Sequence, residues 1–126
     1  MAMEPTTTLL AGLLAFAAPV DTLAPYFWEA RPVLVFADEG DARLDRQIAE
    51  FAGVADALRE RRNVVVVDIN ETSVLRQRFD PQGFTVILIG LDGGEKARQS
   101  GVVSGDVFNS RIDAMPMRRR ELDARN

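Results

Sequence analysis

The residues best placed to do chemistry are three acids, Asp38, Glu39 and Asp41, which lie within four positions of one another. Clustered carboxylates suit hard cations, so one hypothesis is a weak cation site. The competing interpretation is a helix N-terminus, where acids accept hydrogen bonds from unpaired backbone N–H groups and interact favourably with the helix dipole. Because the alternating acidic pattern of calcium-binding loops is not met, the sequence favours helix capping and predicts no bound metal or cofactor.

Two further groups are candidates for binding a partner. Trp28 and Arg31 could stack as a cation–π pair and line a pocket, although aromatic residues ahead of a strand more often cover a core. Arg118 and the two arginines after it could bind an acidic partner, a phosphate or anionic headgroups, because guanidinium groups hold such groups bidentately. The alternatives are a solvated tail, or one arginine that folds back to pair with an acid such as Asp113.

The chain contains neither cysteine nor histidine. These side chains supply most thiol nucleophiles, most general bases that titrate near neutral pH, and most zinc ligands. Without histidine the serines cannot form a Ser-His-Asp triad. Tyr26 has no evident partner base, and the single lysine, Lys96, lies in a polar segment where a Schiff-base role is not favoured. The composition therefore excludes thiol–disulfide exchange by this chain.

Length and charge limit the organisation of the chain and its partners. The 126 residues suit one domain, and a net charge of −4 argues against a general nucleic-acid-binding protein. Residues 9–18 form an apolar run that is too short to span a bilayer, which needs about 20 residues. With the A-x-A pattern of residues 15–17, this run predicts a signal peptide over residues 1–20 and a periplasmic or secreted protein. The alternative is an N-terminal helix packed on a cytoplasmic domain.

The apolar pattern predicts the elements that position these side chains. Continuous apolar runs at residues 32–37, 64–69 and 84–91 predict three strands buried on both faces. Apolar residues at alternating spacings of four and three predict one long helix between the first two strands (Leu44, Ile48, Phe51, Ala55, Leu58). At the end of this helix, the positive charges of Arg59, Arg61 and Arg62 are expected to interact favourably with the helix dipole.

The remaining segments predict a hairpin and two shorter helices. Asp92 and the two glycines after it predict a tight turn into a polar edge strand at residues 95–99. One short helix follows the second strand, and a last helix begins after Ser104 and ends at Pro116, before a charged tail.

The resulting β-α-β-α-β-β-α order predicts an α/β fold of the thioredoxin-like class. Two buried strands joined through a helix pair in parallel by a right-handed crossover, and the hairpin adds an antiparallel edge. The sheet is therefore mixed, with about four strands and helices on both faces. A flavodoxin-like or Rossmann-like fold is the alternative, but it would need another βα unit in place of the hairpin, and neither glycine-rich phosphate motif is present.

Three segments carry a family resemblance in this order: residues 28–36 (WEARPVLVF), 84–94 (FTVILIGLDGG) and 112–121 (IDAMPMRRRE), the last being the most specific. Together they resemble the DUF4174 family. The resemblance implies an exported thioredoxin-like bacterial domain over residues 21–121, followed by a charged tail at residues 122–126. It implies no established reaction, and related domains occur in animal extracellular-matrix proteins that contain sushi repeats.

The chain is also broadly similar to thioredoxins and peroxiredoxins, and the positions at which it departs from them bear on its function. Those proteins carry redox cysteines in the turn after the first strand, where this chain has residues 38–42, and Gly83 stands near the place of the thioredoxin cis-proline. The predicted function is a protein- or peptide-binding module of unknown partner, and a peroxiredoxin-like or carboxylate-based enzyme is the alternative. The candidate binding residues are those named above (Trp28, Arg31, Asp38, Glu39, Asp41, Arg118).

Overall fold

The computed structural model describes residues 16–17 and 22–124. Its strands are β1 (Phe16–Ala17), β2 (Arg31–Phe36), β3 (Asn63–Asp68), β4 (Thr85–Ile89) and β5 (Glu95–Ser100). Its helices are α1 (Ala42–Ala52), α2 (Ala55–Glu60), α3 (Val74–Phe79), α4 (Gly105–Asp113) and α5 (Pro116–Ala124), and a short 3-10 helix covers Ala24–Tyr26.

The strands form one mixed sheet in the order β1-β3-β2-β4-β5. β2 and β3 are parallel, with Arg31 opposite Asn63 at one end and Phe36 opposite Asp68 at the other. β4 runs antiparallel to β2, and β5 runs antiparallel to β4 at the edge. The predicted mixed α/β sheet and its terminal hairpin are therefore confirmed.

The core lies on both faces of β2, because successive side chains of a strand point to opposite sides of the sheet. Val33 and Val35 pack with apolar residues of α1, α2 and α4. Leu34 and Phe36 pack on the other face with α3. A strand buried in this way needs a continuous apolar run, which is why residues 32–37 show no alternation.

Two predicted elements differ from the structure. The long helix is interrupted at Gly53 and Val54, and this break lets Val54 pack so closely on Gly105 that a Cβ there would lie 2.7 Å from a Val54 methyl carbon. The predicted tail is helical, because Pro116 begins α5 rather than ending the chain's helical structure. Proline suits the first position of a helix, where its missing N–H leaves no hydrogen bond unmade.

Of the predicted signal peptide over residues 1–20, residues 1–15 and 18–20 lie outside the described residues. The two residues described there, Phe16 and Ala17, pair in parallel with Val65 and Val66 of β3. Within residues 16–17 and 22–124, no helix is both long and apolar enough to cross a membrane.

Candidate functional site

The turn after β2, which we call the carboxyl-end turn (residues 38–41), is stabilised by helix capping. Asp41 begins α1, and its Oδ1 accepts hydrogen bonds from the Arg43 N–H at 2.9 Å and from Arg43 Nε at 3.0 Å. These hydrogen bonds lower the pKa of Asp41. Asp38 and Glu39 are exposed. Capping is confirmed for Asp41, and over residues 22–124 no three acidic side chains are grouped closely enough to hold a metal ion.

Neighbouring polar groups close the rest of this end of the sheet. Asp68 is buried at the end of β3 and accepts a hydrogen bond from the Ser73 hydroxyl at 2.6 Å. Ser73 in turn caps α3, and Arg76 donates to the carbonyl oxygens of Ala37 and Asp68 at 3.0 Å each. These hydrogen bonds join the ends of β2 and β3 to the segment that follows β3. They pair the polar groups at the strand ends and so leave no open site there.

The opposite end of β2 and β3 holds a cluster that we call the arginine–carboxylate network (Arg31, Glu60, Arg61, Arg62, Asp113, Arg118, Glu121). Its centre is Arg118 of α5, whose side chain is 1% exposed. Arg118 donates from Nε to Asp113 at 3.1 Å and from Nη1 to Glu121 at 3.1 Å. Its Nη2 contacts both carboxylate oxygens of Glu60 at 2.7 Å.

Arg31, at the start of β2, is the second buried cation of this network. Its side chain is fully buried and donates to the Arg61 carbonyl at 2.9 Å and to Glu121 at 3.0 Å. Arg62 also donates to Glu121, at 2.6 Å. Arg61 binds Asp113 through two hydrogen bonds of 3.0 and 2.7 Å.

The electrostatics of the network favour the ionised form of two of its carboxylates, Glu121 and Asp113. Burial alone would raise the pKa of Glu121, but hydrogen bonds from Arg62, Arg31 and Arg118 outweigh burial and lower the pKa to about 2. Hydrogen bonds from Arg61 and Arg118 lower the pKa of Asp113. Burial alone would lower the pKa of Arg118, but its three carboxylate partners raise it. Removing one member would therefore leave buried charge without its partner.

The network changes the interpretation of two predicted binding residues. Arg31 and Arg118 are directed into the protein, and Arg31 donates through its two terminal nitrogens while its Nε has no hydrogen-bond partner; the guanidinium groups of both residues hold α5 against the sheet. Arg118 does fold back onto Asp113, whereas the proposed stacking of Arg31 on Trp28 gives way to the contacts with Glu121. Arg61, interpreted from the sequence as a helix-dipole partner, does donate to the Ala57 carbonyl at the end of α2, at 2.9 Å, and it also binds Asp113. Arg62 binds Glu121.

Trp28 is presented to solvent from a rigid backbone beside this network. Its side chain is 59% exposed, and its φ of 64° lies in the left-handed region that bulky residues rarely adopt. Its N–H donates to the Leu91 carbonyl at 2.7 Å, and its carbonyl accepts from Arg62 at 3.4 Å. Both backbone polar groups of Trp28 are thus fixed.

Phe27 anchors the same loop on the β4–β5 hairpin. Its ring lies so close to Gly93 that a Cβ at that position would overlap the ring, and Gly93 has a φ of 83°. Gly93 is therefore required both by the turn and by the packing of Phe27.

A cleft of about 300 Å³ lies between the β4–β5 hairpin and the start of α5. Its apolar wall is formed by Leu91, Met115, Pro116 and Met117, and its polar rim by Asp92, Lys96 and Arg120. Sequence reasoning did not single out the two methionines as binding residues. The signal was present in the M-P-M sequence of residues 115–117, within the most specific family segment.

The three segments that carry the family resemblance meet at this end of the molecule, through the hydrogen bond from Trp28 to Leu91 and the ion pair of Arg31 with Glu121. A family model described as a domain of unknown function (DUF4174) matches residues 22–121. The chain belongs to the DUF4174 family. No curated protein matches this DUF4174 chain.

Solved structures show that the DUF4174 domain has a thioredoxin-like fold. An uncharacterised thioredoxin-like protein from Clostridium perfringens superposes with a TM-score of 0.68 at 12% identity, covering 92% of each chain. A Plasmodium vivax 2-Cys peroxiredoxin gives 0.61 at 13% identity, covering 78% of this chain and 84% of that one. A Thermus thermophilus thioredoxin gives 0.60 at 19% identity, covering 79% and 85%. At these identities the likeness concerns the fold alone.

Proposed function

We propose that this DUF4174 domain is a non-redox module that binds a protein or peptide partner. We further assign its binding surface to the amino-end surface, defined as Phe27, Trp28 and the cleft between the β4–β5 hairpin and α5. The observation that carries the proposal is Trp28, which is 59% exposed while both of its backbone polar groups are fixed.

Trp28 has the properties of an interface anchor. Tryptophan is enriched among the residues that dominate binding energy, because its large ring buries much apolar area with little rotamer entropy. Backbone strain of the kind seen at Trp28 persists only where the surroundings impose it, and it concentrates at ligand clamps and other functional positions. A tryptophan held rigidly in solvent is thus poised for association at little ordering cost.

The alternative, a peroxiredoxin-like or carboxylate-based enzyme, has weaker support. Peroxide reduction by a peroxiredoxin needs a thiol, which this chain does not contain. The Asp41 carboxylate is held by Arg43, which lowers its pKa and makes it a poor general base. We expect no peroxide turnover by the purified chain, and measurable turnover would reverse this ranking.

Site-directed photo-crosslinking tests the proposed surface. A benzophenone amino acid is placed at Glu29, next to Trp28, and in a matched protein at Glu39 of the carboxyl-end turn; both positions are exposed. In cells of the native host we expect a discrete crosslinked partner from position 29 and none from position 39. Capture from position 39 alone would move the binding surface to the other end of the sheet.

Export of the protein is a second part of the proposal, supported by the apolar run at residues 9–18 and the A-x-A pattern within it, at residues 15–17. N-terminal mass spectrometry of protein from the native host tests it. A mature N-terminus beyond residue 17 is expected. Recovery of the intact residues 1–17 would instead favour a retained N-terminal segment, with Phe16 and Ala17 paired to β3.

A further inference from the structure

We infer that the cleft of the amino-end surface binds an extended peptide that combines an apolar side chain with a neighbouring carboxylate. The apolar side chain would enter between Met115 and Met117, and the carboxylate would pair with Arg120. This inference rests on the proposed function, since it names the chemistry of the partner that the surface takes.

The apolar wall of the cleft suits an aliphatic side chain. Leu91 is buried and forms the floor, while Met115 and Met117 are half-buried. Methionine is unbranched and polarizable, so it adapts to side chains of different shapes. A volume of about 300 Å³ lies at the lower end of the range for ligand pockets, about 300–1,000 Å³. The cleft therefore fits one part of a peptide rather than a large cofactor.

The charges on the rim leave one cation available to a partner. Lys96 binds Asp92 at 2.9 Å, and hydrogen bonds from the Gly94 N–H and from Lys96 lower the pKa of Asp92, so this pair stays neutral overall. Arg120 is exposed, and within residues 22–124 no ion-pair partner contacts it, although Asp123 follows one turn later on α5. Its guanidinium can therefore hold a carboxylate in a planar bidentate pair.

The position of Trp28 joins the apolar and charged parts into one surface. The Trp28 N–H donates to the carbonyl of Leu91, which lines the cleft, so the backbone that carries the exposed Trp28 side chain adjoins the cleft. Protein–protein interfaces are enriched in aromatic residues, methionine and arginine, and depleted of lysine and acids. The cleft and its border combine these three enriched types.

Fluorescence titration with two blocked peptides tests the inference. The first probe is acetyl-Gly-Asp-Leu-Leu-Asp-Gly-amide, and the second has asparagine in place of both aspartates. Trp28 is the single tryptophan of the chain, so a change in its emission reports binding at this surface. We expect the acidic probe to bind about three- to fivefold more tightly, the range of an exposed ion pair, and the difference to shrink in 0.5 M salt.

Two single variants separate the cleft from its surroundings. Arg120→Ala should remove the preference for the acidic probe, whereas the matched control Arg119→Ala, an exposed neighbour outside the cleft lining, should keep it. Met117→Ser should weaken both probes alike, by about fivefold, since it removes apolar contact area and leaves Arg120 in place.

Failure of this inference can be told from failure of the proposed function. Equal affinity for the two probes, an acidic preference that survives Arg120→Ala, or no binding of either probe would overturn the inference. If crosslinking from position 29 still captured a partner in each of these cases, the amino-end surface would remain a binding surface with a different specificity. If position 29 captured no partner and neither peptide bound, both the inference and the proposed function would be overturned.

Discussion

The two ends of β2 and β3 are stabilised in different ways. At the carboxyl end, Asp41 binds Arg43, two residues away, and Ser73 binds Asp68, five residues away. At the amino end, Arg31 binds Glu121 and Arg118 binds Glu60, pairs separated by 90 and 58 residues. The carboxyl end thus carries short-range caps and one longer hydrogen bond, from Arg76 to the Ala37 carbonyl, while the opposite end carries long-range ion pairs between the sheet and α5.

Under the proposed function the binding surface lies at the amino end, in keeping with the rule that a shared fold does not fix where function resides. The carboxyl-end turn keeps the acids that a helix start requires. The amino end keeps a rigid platform, because the network fixes α5 and Arg62 also holds the Trp28 carbonyl. The surface that Trp28 presents is thus a consequence of the network beneath it.

The largest effect is expected at the centre of the network. Arg118→Ala leaves Glu60, Asp113 and Glu121 without their shared partner, and breaking a buried ion pair costs about 3–5 kcal/mol. Because the three acids are only partly buried, we expect a loss of about 3 kcal/mol in the free energy of unfolding, measured in urea. Arg119→Ala, its exposed neighbour, should change that value by less than about 0.5 kcal/mol.

The same network should make stability fall in acid. The pKa of Glu121 is lowered from 4.5 to about 2 on folding, so its contribution is complete above about pH 4.5 and is lost as the pH falls towards 2. The shift corresponds to roughly 3 kcal/mol, and Asp113 acts in the same direction. Urea unfolding between pH 7 and pH 2 measures this slope.

Glu121→Gln isolates this carboxylate from the others. The variant should be less stable at pH 7 and should lose less stability between pH 4.5 and pH 2. If the free energy of unfolding depended on pH as in the unchanged protein, the arginine partners would not lower the pKa of Glu121 in the folded state.

Two glycine variants test how the Trp28 loop is anchored. Gly93→Ala introduces both a strained φ and an overlap with the Phe27 ring, so we expect a loss of about 2 kcal/mol and a shifted Trp28 emission. Gly83→Ala has a similar φ of 76° with open space around its Cβ, so it should cost only about 1 kcal/mol and leave the emission unchanged. Equal effects would show that Phe27 does not hold the hairpin.

The smallest effect is expected at the carboxyl-end turn. The double variant Asp38→Asn and Glu39→Gln alters two exposed side chains, so its Tm should stay within about 2 °C of the unchanged protein. Calorimetry provides the measurement. A loss of stability as large as that from Arg118→Ala would show that the two ends of β2 and β3 do not differ in this way.

Much of the fold could be predicted because its signals are local. The unbroken apolar runs of β2, β3 and β4, the glycine turn and the cap at Asp41 each act within a few residues. Of the network, the sequence offered only the pairing of an arginine with Asp113, five residues from Arg118. The rest could not be predicted, because an arginine run in α5 has the same local pattern whether it faces solvent or a carboxylate 58 residues away. The close packing of Val54 on Gly105, beside the break at Gly53, likewise joins residues far apart in the sequence.

The most direct test of the central claim is capture by the crosslinker at position 29 in three otherwise identical proteins. These are the unchanged sequence, Trp28→Ala, and the double variant Asp38→Asn and Glu39→Gln. We expect the partner to be captured by the first and third proteins and lost with Trp28→Ala, although that variant stays folded. Capture that survives Trp28→Ala and disappears in the double variant would contradict the central claim.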